Sequence, residues 1–159
     1  GHLALQILTK LGCEVTVFSH SKTKEAQLKT LGARGFINST DKTALEKEES
    51  KYDYIFSTSS GTLDWELYIK MLKPQGTIFF IGLPPDKICF SVEFLADYAQ
   101  RTISGSYSCS RSELKELLQF AVKNHIKAIT NVFPLSEVNQ VIQKIRNKEL
   151  DFSTVIKIS

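Results

Sequence analysis

Apolar positions along this chain recur at helical spacing in some stretches and at strand spacing in others, and the two kinds of stretch take turns. Leu3, Leu5, Ile7, Leu8 and Leu11 fall on one helical face, which predicts a buried helix, and Gly12 suits the position just past its end. Residues 14–18 then predict a strand, with Ser19, His20 and Ser21 as the loop beyond it. A helix over 24–31 places Ala26, Leu28 and Leu31 inward and ends at Gly32. Phe36 and Ile37 form a short strand, and Asp41 is placed to cap a helix carrying Leu45. The charged run 43–51 reads as a solvated helix face, and 52–58 as a strand built on Tyr54, Ile55 and Phe56. Trp65, Leu67, Tyr68, Ile69 and Leu72 share a third helix, Pro74-Gln75-Gly76 makes a turn, and 77–81 is a strongly apolar strand.

The second half keeps this rhythm more loosely. Residues 82–86 form a loop, Ser91 caps a helix running to Ala99, and 102–107 is a strand. Ser110 and Glu113 stand at capping-box spacing before a helix carrying Leu114, Leu117, Leu118, Ala121 and Val122. Val132 and Phe133 form a short strand, Ser136 caps a helix with Val138, Val141, Ile142 and Ile145, and 152–158 closes as a strand. Strands alternating with amphipathic helices predict βαβ crossovers, hence an α/β doubly wound parallel sheet over residues 1–159. Such a sheet places ligands beyond the C-terminal ends of its strands. Function is therefore sought in the loops 19–23, 58–63, 82–86 and 105–111.

Composition narrows the classes of partner. The chain has 159 residues, 42% apolar and 23% charged, as soluble globular domains do. Its net charge of +3 is spread among interleaved acids and bases, so a nucleic-acid surface is not expected. No apolar run approaches the roughly 18 residues of a membrane helix, so no membrane partner is expected. Cys13, Cys89 and Cys109 are odd in number and lack metal-ligand spacing, which predicts free thiols in a reducing, cytoplasmic setting. The start at Gly1, with neither an initiator methionine nor a signal sequence, predicts a chain that begins inside a longer protein.

The loops carry one kind of chemistry. An NAD site places Asp or Glu just beyond the strand that meets the adenosine ribose. Here that place holds Ser19, His20 and Ser21, followed by Lys22 and Lys24. Hydroxyls and a lysine suit a 2′-phosphate, so the loop favours NADP. Thr58, Ser59, Ser60 and Gly61 are small enough for a ribose or flat ring to come close, and Gly82 permits the same after Ile81. The upstream strand and first glycines of a dinucleotide fingerprint are missing, but a helix beginning at Gly1 still aims N–H groups at a pyrophosphate. His2 and His20 could add ring N–H donors to phosphate. His125 reads as a surface residue near a helix C-terminus.

In order along nearly the whole chain, Gly1 to Gln6, Leu11 to Ser19, Leu31-Gly32-Ala33, Phe36 to Ser39, Tyr52 to Ile55, Leu72 to Thr77, Ile81 to Pro84, Ile103 to Tyr107 and Phe133 to Asn139 resemble one family. It is the zinc-type alcohol dehydrogenases of the medium-chain dehydrogenase/reductase superfamily, in their cinnamyl-alcohol-dehydrogenase-like branch. The resemblance implies a Rossmann-type coenzyme domain whose first strand is missing here, with C-terminal elements returning toward an absent catalytic domain. It implies Gly1 beside the pyrophosphate, with Ser19, His20 and Lys24 on the adenosine 2′-phosphate and Ser21 close by. Thr58 and Ser59 would form the adenosine-side wall. Ile81, Gly82, Leu83, Gly105, Ser106 and Tyr107 would line the nicotinamide end. The implied reaction is hydride transfer between NADPH and an aldehyde, giving a primary alcohol. A zinc held by the absent domain would act as Lewis acid.

No Cys or His here matches that family's zinc ligands, so neither a catalytic residue nor a metal ligand is expected in this chain. The branch usually begins its last strand Arg-Tyr-Arg-Phe-Val, where this chain has Asp151-Phe152-Ser153-Thr154-Val155. Ser57 stands where acids are common, and Gln75 replaces a glycine. Two other functions fit the residues: a stand-alone or degenerate nucleotide-binding module without catalysis, and a zinc-free quinone-reductase-like enzyme. The strand at 102–107 is expected at a sheet edge, where a second copy would pair to give a homodimer. Isolated, the chain is expected to associate or dissolve poorly.

Overall fold

A computed structural model describes residues 1–96, 98–106, 108–147 and 149–158. Helices and parallel strands alternate: α1 His2–Lys10, β1 Thr16–Ser19, α2 Glu25–Thr30, β2 Gly35–Asn38, α3 Lys42–Glu46, β3 Tyr52–Ser57, α4 Trp65–Lys70, β4 Leu72–Phe80, α5 Glu93–Ala96, β5 Thr102–Gly105, α6 Arg111–Lys123, β6 Thr130–Pro134, α7 Val138–Arg146 and β7 Ser153–Lys157. Single 3-10 turns at Lys22–Lys24 and Leu135–Glu137 lead into α2 and α7.

The strands fall into three parallel sheets, β1-β2, β3-β4-β5 and β6-β7. A doubly wound sheet of order 3-2-1-4-5-6 sets its second and third strands on one side of the first, and the rest on the other. β1-β2 and β3-β4-β5 match those two flanks, and among the described residues no strand joins them. Side-chain alternation explains how helices cover both faces. Val17 and Phe36 pack toward Leu5, Leu28 and Ala33 from the α1–α2 side. Their neighbours Phe18 and Ile37 pack toward Leu45, Trp65, Tyr68, Met71, Leu72 and Ile78. This second cluster is the main core, and the Phe18 ring meets Tyr52 and Tyr68 edge-on at 5.6 and 5.8 Å.

Local chemistry fixes the boundaries. Gly12 and Gly32 follow α1 and α2 with φ of 88° and 107°, the left-handed backbone that ends a helix. Asp41 Oδ1 accepts from the Ala44 N–H at 3.0 Å, and Asp64 Oδ1 from the Leu67 N–H at 3.2 Å. The Ser110–Glu113 capping box is complete: each side chain accepts the other residue's backbone N–H. The Ser110 backbone N–H first, then the Ser110 hydroxyl, hold the Glu113 carboxyl below the usual carboxylate range. The support is therefore present above the ordinary Glu range and is lost as pH falls through the lowered value. Ser110→Ala is expected to cost about 1 kcal/mol, seen as faster amide exchange in the first turn of α6.

Several expectations need correction. The first strand starts at Thr16 rather than Glu14, and α4 stops at Lys70, so that Leu72 opens β4. The Pro74-Gln75-Gly76 turn is an excursion inside β4: Leu72 pairs Tyr52 and Thr77 pairs Tyr54, with Gln75 at φ 64°. The helix after Ser91 ends at Ala96, not Ala99, and Ser136 lies within a 3-10 turn without capping α7 by its side chain. Leu3 and Leu11 of the first helix and Ala26 of the second are exposed. The largest departure is α6, which buries no residue: Leu114, Leu117, Leu118 and Val122 are all exposed. Its apolar stripe has a helical period but no cover among the described residues. No helix among them is long and apolar enough to cross a membrane.

Candidate coenzyme site at the strand tips

The tips of β3, β4 and β5 are tied side by side. The Ser57 carbonyl accepts the N–H groups of Ile81 and Gly82 at 2.9 and 2.8 Å, and the Phe80 carbonyl accepts that of Ser106 at 2.9 Å. Thr62 Oγ1 donates to Asp86 Oδ2 at 2.5 Å, joining the loops beyond β3 and β4. These bonds gather Thr58, Ser59, Ile81, Gly82, Gly105 and Ser106 along one edge. Leu83 is exposed at its rim. Tyr107 lies outside the described residues.

Gly82 shows how close the two loops come. A Cβ there would lie 2.3 Å from the Ser59 carbonyl oxygen and 2.7 Å from the Thr58 carbonyl carbon. Backbone atoms cannot swing aside, so only glycine fits. Ser57 contributes a buried hydroxyl oxygen with no hydrogen-bond partner. Such a group costs stability unless something satisfies it. The close approach fixes the two loops relative to each other, and the orphaned hydroxyl lies at the same tip.

The start of α1 meets the same edge, since a Cβ on Gly1 would touch Thr58 Oγ1 at 3.4 Å. His2 is buried, and its Nε2 accepts the Ile129 N–H at 3.0 Å. Burial lowers its pKa, in keeping with a neutral ring. With Nε2 accepting, the proton sits on Nδ1, the one ring N–H left for a phosphate. The ring also meets Phe152 edge-on at 5.2 Å.

The tip of β1 is a separate cluster. The Ser19 carbonyl accepts the Ser39 N–H at 3.0 Å, and Ser19 Oγ accepts the Ser21 N–H at 3.3 Å. Ser21 Oγ and Thr23 Oγ1 lie 2.8 Å apart, and His20 is exposed. Lys24 Nζ is 2.5 Å from Asp151 Oδ1. That carboxylate, from the link before β7, was not foreseen. Nothing in sequence spacing joins positions 24 and 151, and only the charge change where the branch carries arginine marked the place.

The structure adds a second unforeseen feature. An open hollow of about 270 Å³ lies between the loop after β2 and the start of α4, with Ser39, Thr40, Thr62, Leu63, Asp64 and Tyr68 in its wall. The rule that places ligands beyond strand ends applies equally to Ser39 and Thr40. Among the described residues no three His, Cys, Asp or Glu side chains cluster as metal ligands would. Cys13, Cys89 and Cys109 are free and exposed.

Comparison with known proteins gives a consistent family. The chain is 35% identical over 159 residues to the aldehyde reductase AdhA of Synechocystis sp., covering all of this chain and 47% of the relative. It is 31% identical to a probable formaldehyde dehydrogenase AdhA of Bacillus subtilis, again over its full length and 45% of the relative. The chain thus spans about half the length of the curated relatives it matches. Among solved structures, a cinnamyl alcohol dehydrogenase of Sorghum bicolor matches 98% of the chain and 44% of its own with a TM-score of 0.89 at 24% identity. A Helicobacter pylori CAD complexed with NADP(H) matches 96% of the chain and 43% of its own at 0.79 and 21%. These two show the shared Rossmann-like fold. The family model described as zinc-binding dehydrogenase matches residues 1–123, and the chain belongs to that family.

Proposed function

We propose that this chain, over residues 1–159, is the coenzyme-binding part of an NADP(H)-dependent alcohol dehydrogenase that interconverts an aldehyde and a primary alcohol. The observation that carries the reading is the tip of β1, where Ser19, His20, Ser21 and Lys24 stand in a loop whose own sequence has no acid, Asp151 approaching Lys24 only from the C-terminal strands. The relatives named as aldehyde reductase and alcohol dehydrogenases, and the NADP(H) in the Helicobacter pylori structure, support it.

Bound NADPH would supply the hydride. The chain's own residues bind and orient it. The N–H groups opening α1 at Gly1 and His2 face the pyrophosphate with the positive end of the helix dipole. Ser19 and Ser21 donate hydroxyls to the 2′-phosphate, His20 can add a ring N–H, and Lys24 neutralises it. Thr58 and Ser59 wall the adenosine side. Ile81, Gly82, Leu83, Gly105 and Ser106 line the nicotinamide end. Any zinc would be held outside this chain. A cytoplasmic setting fits three exposed free thiols, and β5, a sheet edge, would pair with a second copy.

The test is aldehyde reduction by the full-length gene product with NADPH, before and after chelation. Lys24→Ala is expected to raise KM for NADPH about tenfold, as loss of a charge-assisted contact does, and chelation to abolish turnover. Full activity after complete metal removal would point instead to a zinc-free reductase. No reduction of any aldehyde, with the coenzyme still bound, would point to a binding module.

A further inference from the structure

The cation assigned to the 2′-phosphate already has a partner. Lys24 Nζ lies 2.5 Å from Asp151 Oδ1, with the lysine side chain 22% exposed and the aspartate 53%. Two contacts fix the carboxylate there. The Asp151 carbonyl accepts Asn131 Nδ2 at 2.6 Å, which ties it to β6. The next residue, Phe152, turns the chain at φ 63° and sets its ring between the His2 ring, at 5.2 Å, and the Lys24 ammonium, at 6.0 Å. Asp151 is thus presented by the C-terminal strands to the loop beyond β1, 127 positions earlier in sequence.

We propose that Asp151 is a positioning residue that sets coenzyme specificity by competing with the 2′-phosphate for Lys24. This rests on the reading of Lys24 as the 2′-phosphate cation. Without a 2′-phosphate the carboxylate holds the ammonium. A coenzyme carrying that phosphate must displace or share it, and its negative charge then sits beside the carboxylate. NAD(H), with a 2′-hydroxyl, pays neither cost. The loop's hydroxyls and lysine favour NADP(H), and Asp151 moderates that preference. The pair is partly solvated, so its effect is modest.

Equilibrium binding of NADP+ and NAD+ to the full-length gene product tests this in wild type, Asp151→Asn, Asp151→Glu, Lys24→Ala and the double variant Lys24→Ala/Asp151→Asn. Asp151→Asn is expected to tighten NADP+ about two- to fivefold while NAD+ stays as in wild type. Asp151→Glu should restore wild-type discrimination, and Asp151→Asn should bring a smaller gain once Lys24 is alanine, only the part due to phosphate–carboxylate repulsion. Unchanged or weaker NADP+ binding in Asp151→Asn would overturn the inference. So would equal shifts for both coenzymes, the mark of a merely structural latch, or a gain just as large without Lys24. Failure of the underlying reading looks different: Lys24→Ala alone would then leave NADP+ affinity unchanged.

Discussion

Replacing Gly82 by valine is expected to destabilise the protein by about 1–3 kcal/mol or more, the range for forcing atoms into a packed site, and to lower coenzyme affinity with it. The side chain would enter at 2.3 Å from the Ser59 carbonyl oxygen. Relief requires the tips of β3 and β4 to part, which breaks the bonds from the Ile81 and Gly82 N–H groups to the Ser57 carbonyl. Thr58 and Ser59 would leave their places relative to Gly1 at the same time. Gly105→Ala is the control for stability, because a Cβ there meets nothing within 4 Å. It should stay within about 0.5 kcal/mol of wild type. Urea titration of both variants measures the contrast, and equal losses would show that the approach at Gly82 is not rigid.

A larger loss of stability is expected from the sheet's centre. Ile78 is fully buried in β4, paired with Ile55 on one side and Ile103 on the other, and packs with Trp65, Tyr68, Met71 and Leu72. Ile78→Ala removes three carbons from a place walled by strands on both sides. The expected cost is about 2–5 kcal/mol, with an unchanged denaturant slope. A loss under about 1 kcal/mol would mean that the site collapses freely and that the three strands are not one packed sheet.

The fold was legible where local chemistry and period agreed. Val17 against Phe18, and Phe36 against Ile37, announce strands covered on both faces, and the Ser110–Glu113 box marks the start of α6. Where one apolar run changed period without punctuation, the boundary slipped. Ile69 to Leu72 reads as continuous helix, yet Leu72 already pairs with Tyr52. The stripe of Leu114, Leu117, Leu118 and Val122 predicted a helix correctly but implied burial, since period reports which face is apolar and not whether anything covers it. At the candidate site, the strand-tip rule selects the loops beyond β1, β3, β4 and β5. It could not find Asp151 beside Lys24, because a contact spanning 127 positions depends on how the β6-β7 sheet docks on α1. That docking runs through His2 and Gln6, which meet the backbone of Ile129 and Lys127, and such side-chain bonds leave no period in a sequence.

The central claim is that the strand tips hold a coenzyme and that the loop beyond β1 selects the 2′-phosphate. The measurement that tests it most directly is a titration of the full-length gene product with NADPH and with NADH at fixed ionic strength, following nucleotide fluorescence. The account predicts that both bind and that NADPH binds about tenfold more tightly, as one charge-assisted phosphate contact contributes. NADH binding as tightly as NADPH, or neither coenzyme binding, would contradict it.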